Sequence, residues 1–372
     1  MSKIKTLVKQ EMILFIAAAL ACASMFAVPP DIGYFSYMNY PVLGILFCLM
    51  IVVMGLRRLG IFGYLSQRLL NRTKNVKLLT ALLVSIVFFC SMFITNDVAL
   101  IMFVPMTLEI FAGSKRHRLI FIIVMETLAA NLGSMLTPIG NPQNLYIYSF
   151  YQLDMLSFFQ YVLPIGAVSY AMLIGLTLFS KNSRIEIALE PKMQLRDLAK
   201  PLLYYIVLFL TCIATVLHIL DYRICVLLVL AATLVADKKI LAKVDYGLLL
   251  TFACFFAFVG NLDRIDAIKN ALSIFLEGRV FVVSALCSQI ISNVPAAMML
   301  SPFTADVHPL LLGVNIGGLG TPVASLASLI SFKLYAKSEG SAPGKYLGVF
   351  TVYNLALLLL LSAIVVWQFK IL

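Results

Sequence analysis

Two polar interruptions of apolar runs occur twice along this chain, in the same order and at nearly the same spacing. Ser91-Met92-Phe93-Ile94-Thr95-Asn96-Asp97 returns as Ser288-Gln289-Ile290-Ile291-Ser292-Asn293-Val294. Asn131-Leu132-Gly133, leading to Thr137-Pro138-Ile139-Gly140-Asn141, returns as Asn315-Ile316-Gly317, leading to Thr321-Pro322-Val323-Ala324-Ser325. Asn, Ser, Thr, Gly and Pro all weaken a helix ladder or hydrogen-bond in its place. A chain that breaks apolar segments at matched points is constrained to a duplicated fold whose breaks face each other or line a common cavity.

The apolar runs themselves decide the medium. The chain is 62% apolar and 12% charged, with mean hydropathy +1.00, against about 25% charged residues in soluble domains. Runs of about 20 apolar residues are long enough to cross a bilayer core as helices. They lie at 11–28, 40–56, 119–150, 158–180, 201–220, 223–236, 246–261, 308–335 and 347–369. Two further blocks, 78–113 and 280–305, hold the first repeated motif. A soluble protein is excluded. Val28-Pro29-Pro30 ends the first run without a small-x-small cleavage site, so it is expected to stay as a helix. Cys22, Cys48, Cys90, Cys212, Cys225, Cys254 and Cys287 lie in apolar segments without metal-ligand spacing and read as small buried residues. The scattered His117, His218 and His308 give no metal site.

The net charge of +11 records orientation rather than a nucleic-acid partner. With Lys3, Lys5 and Lys9 placed in the cytoplasm, almost every basic residue falls on that side if each helix crosses. Arg223, Arg264, Lys269, Arg279 and Lys370 are the exceptions, a bias the positive-inside rule demands. Block 78–113 then begins and ends inside, between Lys77 and Lys115. Block 280–305 begins and ends outside and is too short, at about 1.5 Å per residue, to cross twice. It is expected to be a re-entrant hairpin with Ser292-Asn293-Val294 at its tip, and the repeat makes 78–113 another with Asn96-Asp97 at its tip.

The expected fold is an all-α polytopic membrane protein of inverted-topology repeats, with about nine spanning helices plus two re-entrant hairpins. The first repeat covers 1–180, with an amphipathic stretch from Leu59 to Leu70, hairpin 78–113 and broken helix 119–150. A linker loop and connecting helix fill 181–222. The second, inverted repeat covers 223–372, with an amphipathic stretch from Leu262 to Leu276, hairpin 280–305 and broken helix 308–335. The N-terminus is expected in the cytoplasm and the C-terminus outside.

Hairpin tips and broken helices at mid-membrane depth present carbonyl, amide and hydroxyl groups suited to a hard cation, and helix N-termini suited to an anion. The expected substrate ligands are Thr95, Asn96 and Asn141 in the first repeat and Ser292, Asn293, Thr321 and Pro322 in the second. Ion ligands are expected at Thr95, Asn96, Asp97, Thr137, Gly140 and Asn141, and at Ser292, Asn293 and Ala324. With two prolines and a glycine, the 137–144 break is the richer ion site, exposing the carbonyls of Thr137 and Gly140. Asp97 has no counterpart, since Val294 stands in its place. A carboxylate at that depth is a Na⁺ ligand or proton carrier, or else a helix N-cap. Glu126, about 12 Å into its span, is the second proton-coupling candidate or a carboxylate hydrogen-bonded within the bundle. No basic residue is expected mid-membrane, so helix ends and amides would hold an anion.

The tip Thr95-Asn96-Asp97, the break Thr137-Pro138-Ile139-Gly140-Asn141-Pro142-Gln143-Asn144 and the tip Ser292-Asn293-Val294-Pro295 together resemble the ion-transporter superfamily. That superfamily includes divalent anion:sodium symporters, arsenite efflux pumps and a class of sodium/proton antiporters. The likeness covers nearly the whole chain and is nearest to YbiR-type anion permeases of bacterial inner membranes. It implies a scaffold domain with a homodimer interface and a transport domain carrying both hairpins, moving as an elevator. Dicarboxylate symporters read Ser-Asn-Thr at each tip and bind sodium and a carboxylate there. The Thr95-Asn96-Asp97 tip is more similar to the arsenite and antiporter branches, which implies a coupling carboxylate.

A secondary transporter of a small inorganic oxyanion or carboxylate, coupled to Na⁺ or H⁺, is the reading these features favour. A Na⁺/H⁺ antiporter using Asp97 without an anion is the alternative. No nucleophile–base or metal constellation points to an enzyme, and no Gly-x-x-x-x-Gly-Lys-Ser/Thr loop points to ATP-driven pumping. No organic cofactor is expected, with Na⁺ the candidate coupling ion. The expected partners are membrane lipid, the small anion and a second copy of the chain, and not nucleic acid.

Overall fold

A computed structural model describes residues 12–60, 75–111, 114–179 and 195–369. The secondary structure there is helical, with no strand among the described residues, as hydrocarbon requires of a chain that must satisfy its backbone internally. The first half comprises α1 (Met12–Met25), α2 (Tyr40–Arg58), α3 (Val76–Ile94), α4 (Asn96–Ile110), α5 (Arg116–Ser134), α6 (Pro142–Phe150) and α7 (Met155–Leu178). A connecting helix α8 (Leu195–Val216) follows. The second half repeats the series with α9 (Tyr222–Asp237), α10 (Tyr246–Asp263), α11 (Asp266–Leu276), α12 (Val280–Ile291), α13 (Asn293–Leu300), α14 (Val307–Ile316), α15 (Leu326–Ala336) and α16 (Pro343–Phe369).

Among the described residues, α2, α3, α7, α10 and α16 are each long and apolar enough to cross a membrane alone. The pair α11 and α12 passes the same test only together, bent by 111°. The other expected spans are α1, α8 and α9, or pairs broken at the predicted positions, α5–α6 and α14–α15. The protein is a polytopic, all-helical membrane protein. The amphipathic stretch expected at Leu59–Leu70 lies mostly outside the described residues; its counterpart is α11, which begins at Asp266. The cysteine expectation needs correction at one end: Cys48, Cys212 and Cys225 are buried, but Cys22 is exposed.

Both hairpins turn on one non-glycine residue. Thr95 (φ 69°, ψ 153°) ends α3 and Ser292 (φ 75°, ψ 155°) ends α12. Only glycine adopts that region without steric cost, and other residues there store about 1–3 kcal/mol of strain. The hairpins are unequal, because α3 has 19 residues and α12 only 12. The first arm therefore reaches the length of a full bilayer crossing, about 30 Å.

Close backbone approach seats each hairpin against its broken helix. A Cβ on Gly133 would lie 2.1 Å from the Phe88 carbonyl oxygen, and one on Gly317 would lie 2.8 Å from the Ala285 Cα. Phe88 and Ala285 occupy matched positions, as do the two glycines. Small residues at such crossings are how membrane helices gain packing contact where apolar burial gives no driving force.

Candidate functional site

The two broken helices cross at their breaks, and the hydrogen bonds there come in matched pairs. The Asn96 amide donates to the Gly140 carbonyl at 3.2 Å, and the Asn293 amide to the Ala324 carbonyl at 3.0 Å. Each hairpin tip is thus pinned to the break of its own half. The Thr137 hydroxyl donates to the Met92 carbonyl (2.5 Å) and the Thr321 hydroxyl to the Gln289 carbonyl (3.1 Å).

Two further pairs join the halves. Asn141 Nδ2 donates to Asn315 Oδ1 (3.1 Å), while the Ser325 hydroxyl donates to Asn131 Oδ1 (2.9 Å). Asn315 Nδ2 donates to Asn144 Oδ1 (2.6 Å), while Asn131 Nδ2 donates to the Ser328 hydroxyl (3.2 Å). Asn131 Oδ1 also accepts from Asn96 Nδ2 at 3.1 Å, which links a hairpin tip to the crossing. These side chains are buried, where an unpaired polar group costs about 1–3 kcal/mol.

The local folding reasons are readable. Asn141 caps α6, its Oδ1 accepting from the Asn144 amide at 2.9 Å, and Pro142 takes the first helical position, where no amide is needed. The carbonyls expected to be exposed at this break are partly engaged: Thr137 accepts from Asn144 Nδ2 (3.1 Å) and Gly140 from the Asn96 amide. In the second break Gln289 takes the bracing role, its Nε2 donating to the Gly317 (2.6 Å) and Leu319 (2.9 Å) carbonyls. Thr321 is exposed and Pro322 half-buried, whereas Ala324 is buried. Ser292 donates to the Ala324 carbonyl at 3.3 Å.

Three of the expected residues meet at a cavity. Thr95, Asp97 and Asn141 line a space of about 160 Å³ walled by Leu46, Met50 and Val53 of α2 and by Ile139 and Leu145 around the first break. Lys243 and Asp245, at the start of α10, line the same space. In the sequence Lys243 is one of the basic residues on the cytoplasmic side, and Asp245 stands beside no motif. Neither carries a signal in the sequence, because the fold brings them to the cavity from about 150 positions away. Beside the helix ends and amides expected to hold an anion, the cavity thus has one ammonium, that of Lys243, in its lining. Asp97 sits in the first turn of α4, where the helix dipole favours a negative charge. Among the described residues, no hydrogen bond reaches its carboxylate; the amide-capping side chain is Asn96, which accepts from the Asp97 amide at 3.0 Å.

Glu126 lies elsewhere. It is fully buried on α5, with Oε1 accepting from the Thr107 hydroxyl at 2.5 Å and Oε2 without a partner among the described residues. It does not line the Asp97 cavity. On the next residue, Thr127 donates to Ser331 (2.7 Å), which pairs with the Tyr346 hydroxyl at 2.7 Å.

A family model described as citrate transporter (CitMHS) matches residues 6–311. The chain belongs to the citrate transporter family. It is a secondary transporter of the ion-transporter superfamily. An uncharacterized transporter of Methanocaldococcus jannaschii is 35% identical over 78% of this chain and 79% of its own length. The inner membrane protein YbiR of Escherichia coli is 30% identical over 77% of each. A silicon efflux transporter of rice is 32% identical over 38% of this chain and 28% of its own length.

Proposed function

We propose that this chain moves a small anion, an inorganic oxyanion or a carboxylate, across the bacterial inner membrane in exchange for the energy of a Na⁺ or H⁺ gradient. The observation that carries this reading is the cavity at the first hairpin tip, where Asp97, Thr95 and Asn141 share one space with Lys243. The Lys243 ammonium attracts an anion, while the unbonded Asp97 carboxylate is free to take a proton or help bind Na⁺. The citrate transporter family fits a carboxylate, and a silicon efflux transporter among the relatives fits a small inorganic solute.

In this reading Thr95, Asn96, Asn141, Ser292, Asn293, Thr321 and Pro322 serve the substrate. The coupling ion is served by Asp97 with the oxygens of Thr95, Asn96, Thr137, Gly140, Asn141, Ser292, Asn293 and Ala324. Asp97, which faces the cavity, is the coupling carboxylate in preference to the sealed Glu126. The hairpins and broken helices, bound to one another by the matched hydrogen bonds, move as one body past α2 and α10 in an elevator cycle. The chain works as a homodimer, with the N-terminus in the cytoplasm and the C-terminus outside.

The test is uptake into proteoliposomes from a panel of carboxylates and oxyanions, with Na⁺ and pH gradients imposed separately. Flux of one anion driven by one gradient is the expected result. Anion flux indifferent to both gradients would overturn the coupling. Na⁺-driven proton movement with no anion would establish antiport instead, a role the Asp97–Asp245 pair on the cavity wall also suits.

A further inference from the structure

Two further cavities lie at the helix ends, away from the crossing. One, of about 660 Å³, is lined by Lys115, His117 and Arg118 above a wall of Phe121, Leu176 and Tyr353. The other, of about 490 Å³, is lined by Arg116, His117 and Lys345 beside Gly348. They share His117 and Val349, so they form a continuous groove between the start of α5 and the start of α16. Val76 at the start of α3 and Phe179 just past the end of α7 complete it.

The chemistry of this groove is split by depth. Lys115, Arg116, Arg118 and Lys345 carry four positive charges; among the described residues no acidic side chain lines either cavity and none of the four forms an ion pair. Cations so close repel one another unless an anion sits among them. Below them the wall is apolar and aromatic, and Phe179 is 91% exposed. Gly348 faces open space, since a Cβ built there meets nothing within 4 Å. The groove begins where the apolar stretches of α3, α5 and α16 begin, so it lies at the boundary between water and hydrocarbon.

We infer that this groove binds an anionic phospholipid, with its phosphate among Lys115, Arg116, Arg118 and Lys345 and an acyl chain along Phe121, Leu176 and Val349. A free inorganic anion would leave the apolar wall uncovered. A zwitterionic lipid would bring a choline cation into a cluster that already lacks counter-charge. Basic pockets between membrane helices select anionic headgroups on this logic. The site is separate from the transport cavity, and its ligand is supplied by the membrane itself.

The experiment uses the full chain in an uncharged detergent, with phosphatidylglycerol, phosphatidylcholine or inorganic phosphate added, read by native mass spectrometry and thermal melting. Phosphatidylglycerol is expected to remain as a bound adduct and to raise the melting temperature by on the order of 5 °C, while phosphatidylcholine and phosphate do neither. Lys115→Gln/Arg118→Gln/Lys345→Gln is expected to weaken that binding at least about tenfold, a loss typical of removing several direct phosphate contacts. Gly348→Leu, which fills the open side of the groove and keeps every charge, is expected to weaken it as well. Lys238→Gln/Lys239→Gln, at another helix end, is expected to bind as the wild type does.

Equal stabilisation by phosphatidylcholine or by phosphate alone would overturn the inference. So would wild-type affinity in the triple variant, or a loss in the Lys238/Lys239 variant as large as that in the triple variant. If the triple variant does not fold, Gly348→Leu decides the matter, and its retention of wild-type affinity overturns the site.

Discussion

Asn315 Nδ2 donates to Asn144 Oδ1 at 2.6 Å across the meeting point of the two broken helices. Asn315 also accepts from Asn141, and its Nδ2 donates to the Leu311 carbonyl at 2.8 Å. One buried carboxamide therefore joins the second half of the chain to two asparagines of the first. Asn315→Ala leaves the Asn141 donor and the Asn144 acceptor short of partners, and should cost about 2–4 kcal/mol. A melting temperature within experimental error of the wild type would remove the structural role assigned to this crossing.

Strain at the tips makes an opposite prediction. Thr95→Gly and Ser292→Gly relieve a positive φ that glycine adopts freely, so each should stabilise the protein by up to about 1–3 kcal/mol. Each also deletes a hydroxyl at a tip. Thermal melting should rise while transport falls. Unchanged transport in both variants would show that the tip hydroxyls serve neither substrate nor ion.

The two buried-helix carboxylates should separate cleanly. Asp97→Asn is expected to abolish the dependence of flux on the driving ion gradient, because the group that faces the cavity can no longer change charge. Glu126→Gln keeps the shape and the Thr107 contact in a site sealed from that cavity, and should leave the ion dependence in place. Parallel measurements under imposed Na⁺ and pH gradients decide it, and the reverse pattern would move the coupling role to Glu126.

Lys243 gives a test of anion preference. Lys243→Gln should raise the substrate concentration for half-maximal uptake by on the order of tenfold with little change in expression, as loss of a steering charge at a cavity does. Asp245→Asn should shift the same quantity the other way. An identical response to both substitutions would show that charge at this cavity does not act on the substrate.

Gly133→Ala probes the packing of the first hairpin. Its Cβ would meet the Phe88 carbonyl oxygen at 2.1 Å, and backbone there has no room to yield. The loss should be about 1–3 kcal/mol, seen as lower yield of monodisperse protein and a lower melting temperature. Gly344→Ala, where a Cβ meets nothing, is the matched control and should behave as wild type.

Much of this protein is determined by local sequence. A spanning helix needs only a sufficient run of apolar residues, so the element order, the two hairpins and the two breaks follow from hydropathy and from the positions of Asn, Gly and Pro. The repeat itself pairs Asn96 with Asn293 and Asn131 with Asn315, and the structure uses those residues in matched hydrogen bonds. The tertiary structure decided what each polar group touches. It turned Thr137 and Thr321 into ties to the hairpin arms, made Gln289 a brace, sealed Glu126 away from Asp97 and carried Lys243 to the first tip. Hydropathy acts on segments and is additive along the chain, whereas a hydrogen bond or a shared cavity depends on how distant segments are placed, to within an ångström or so.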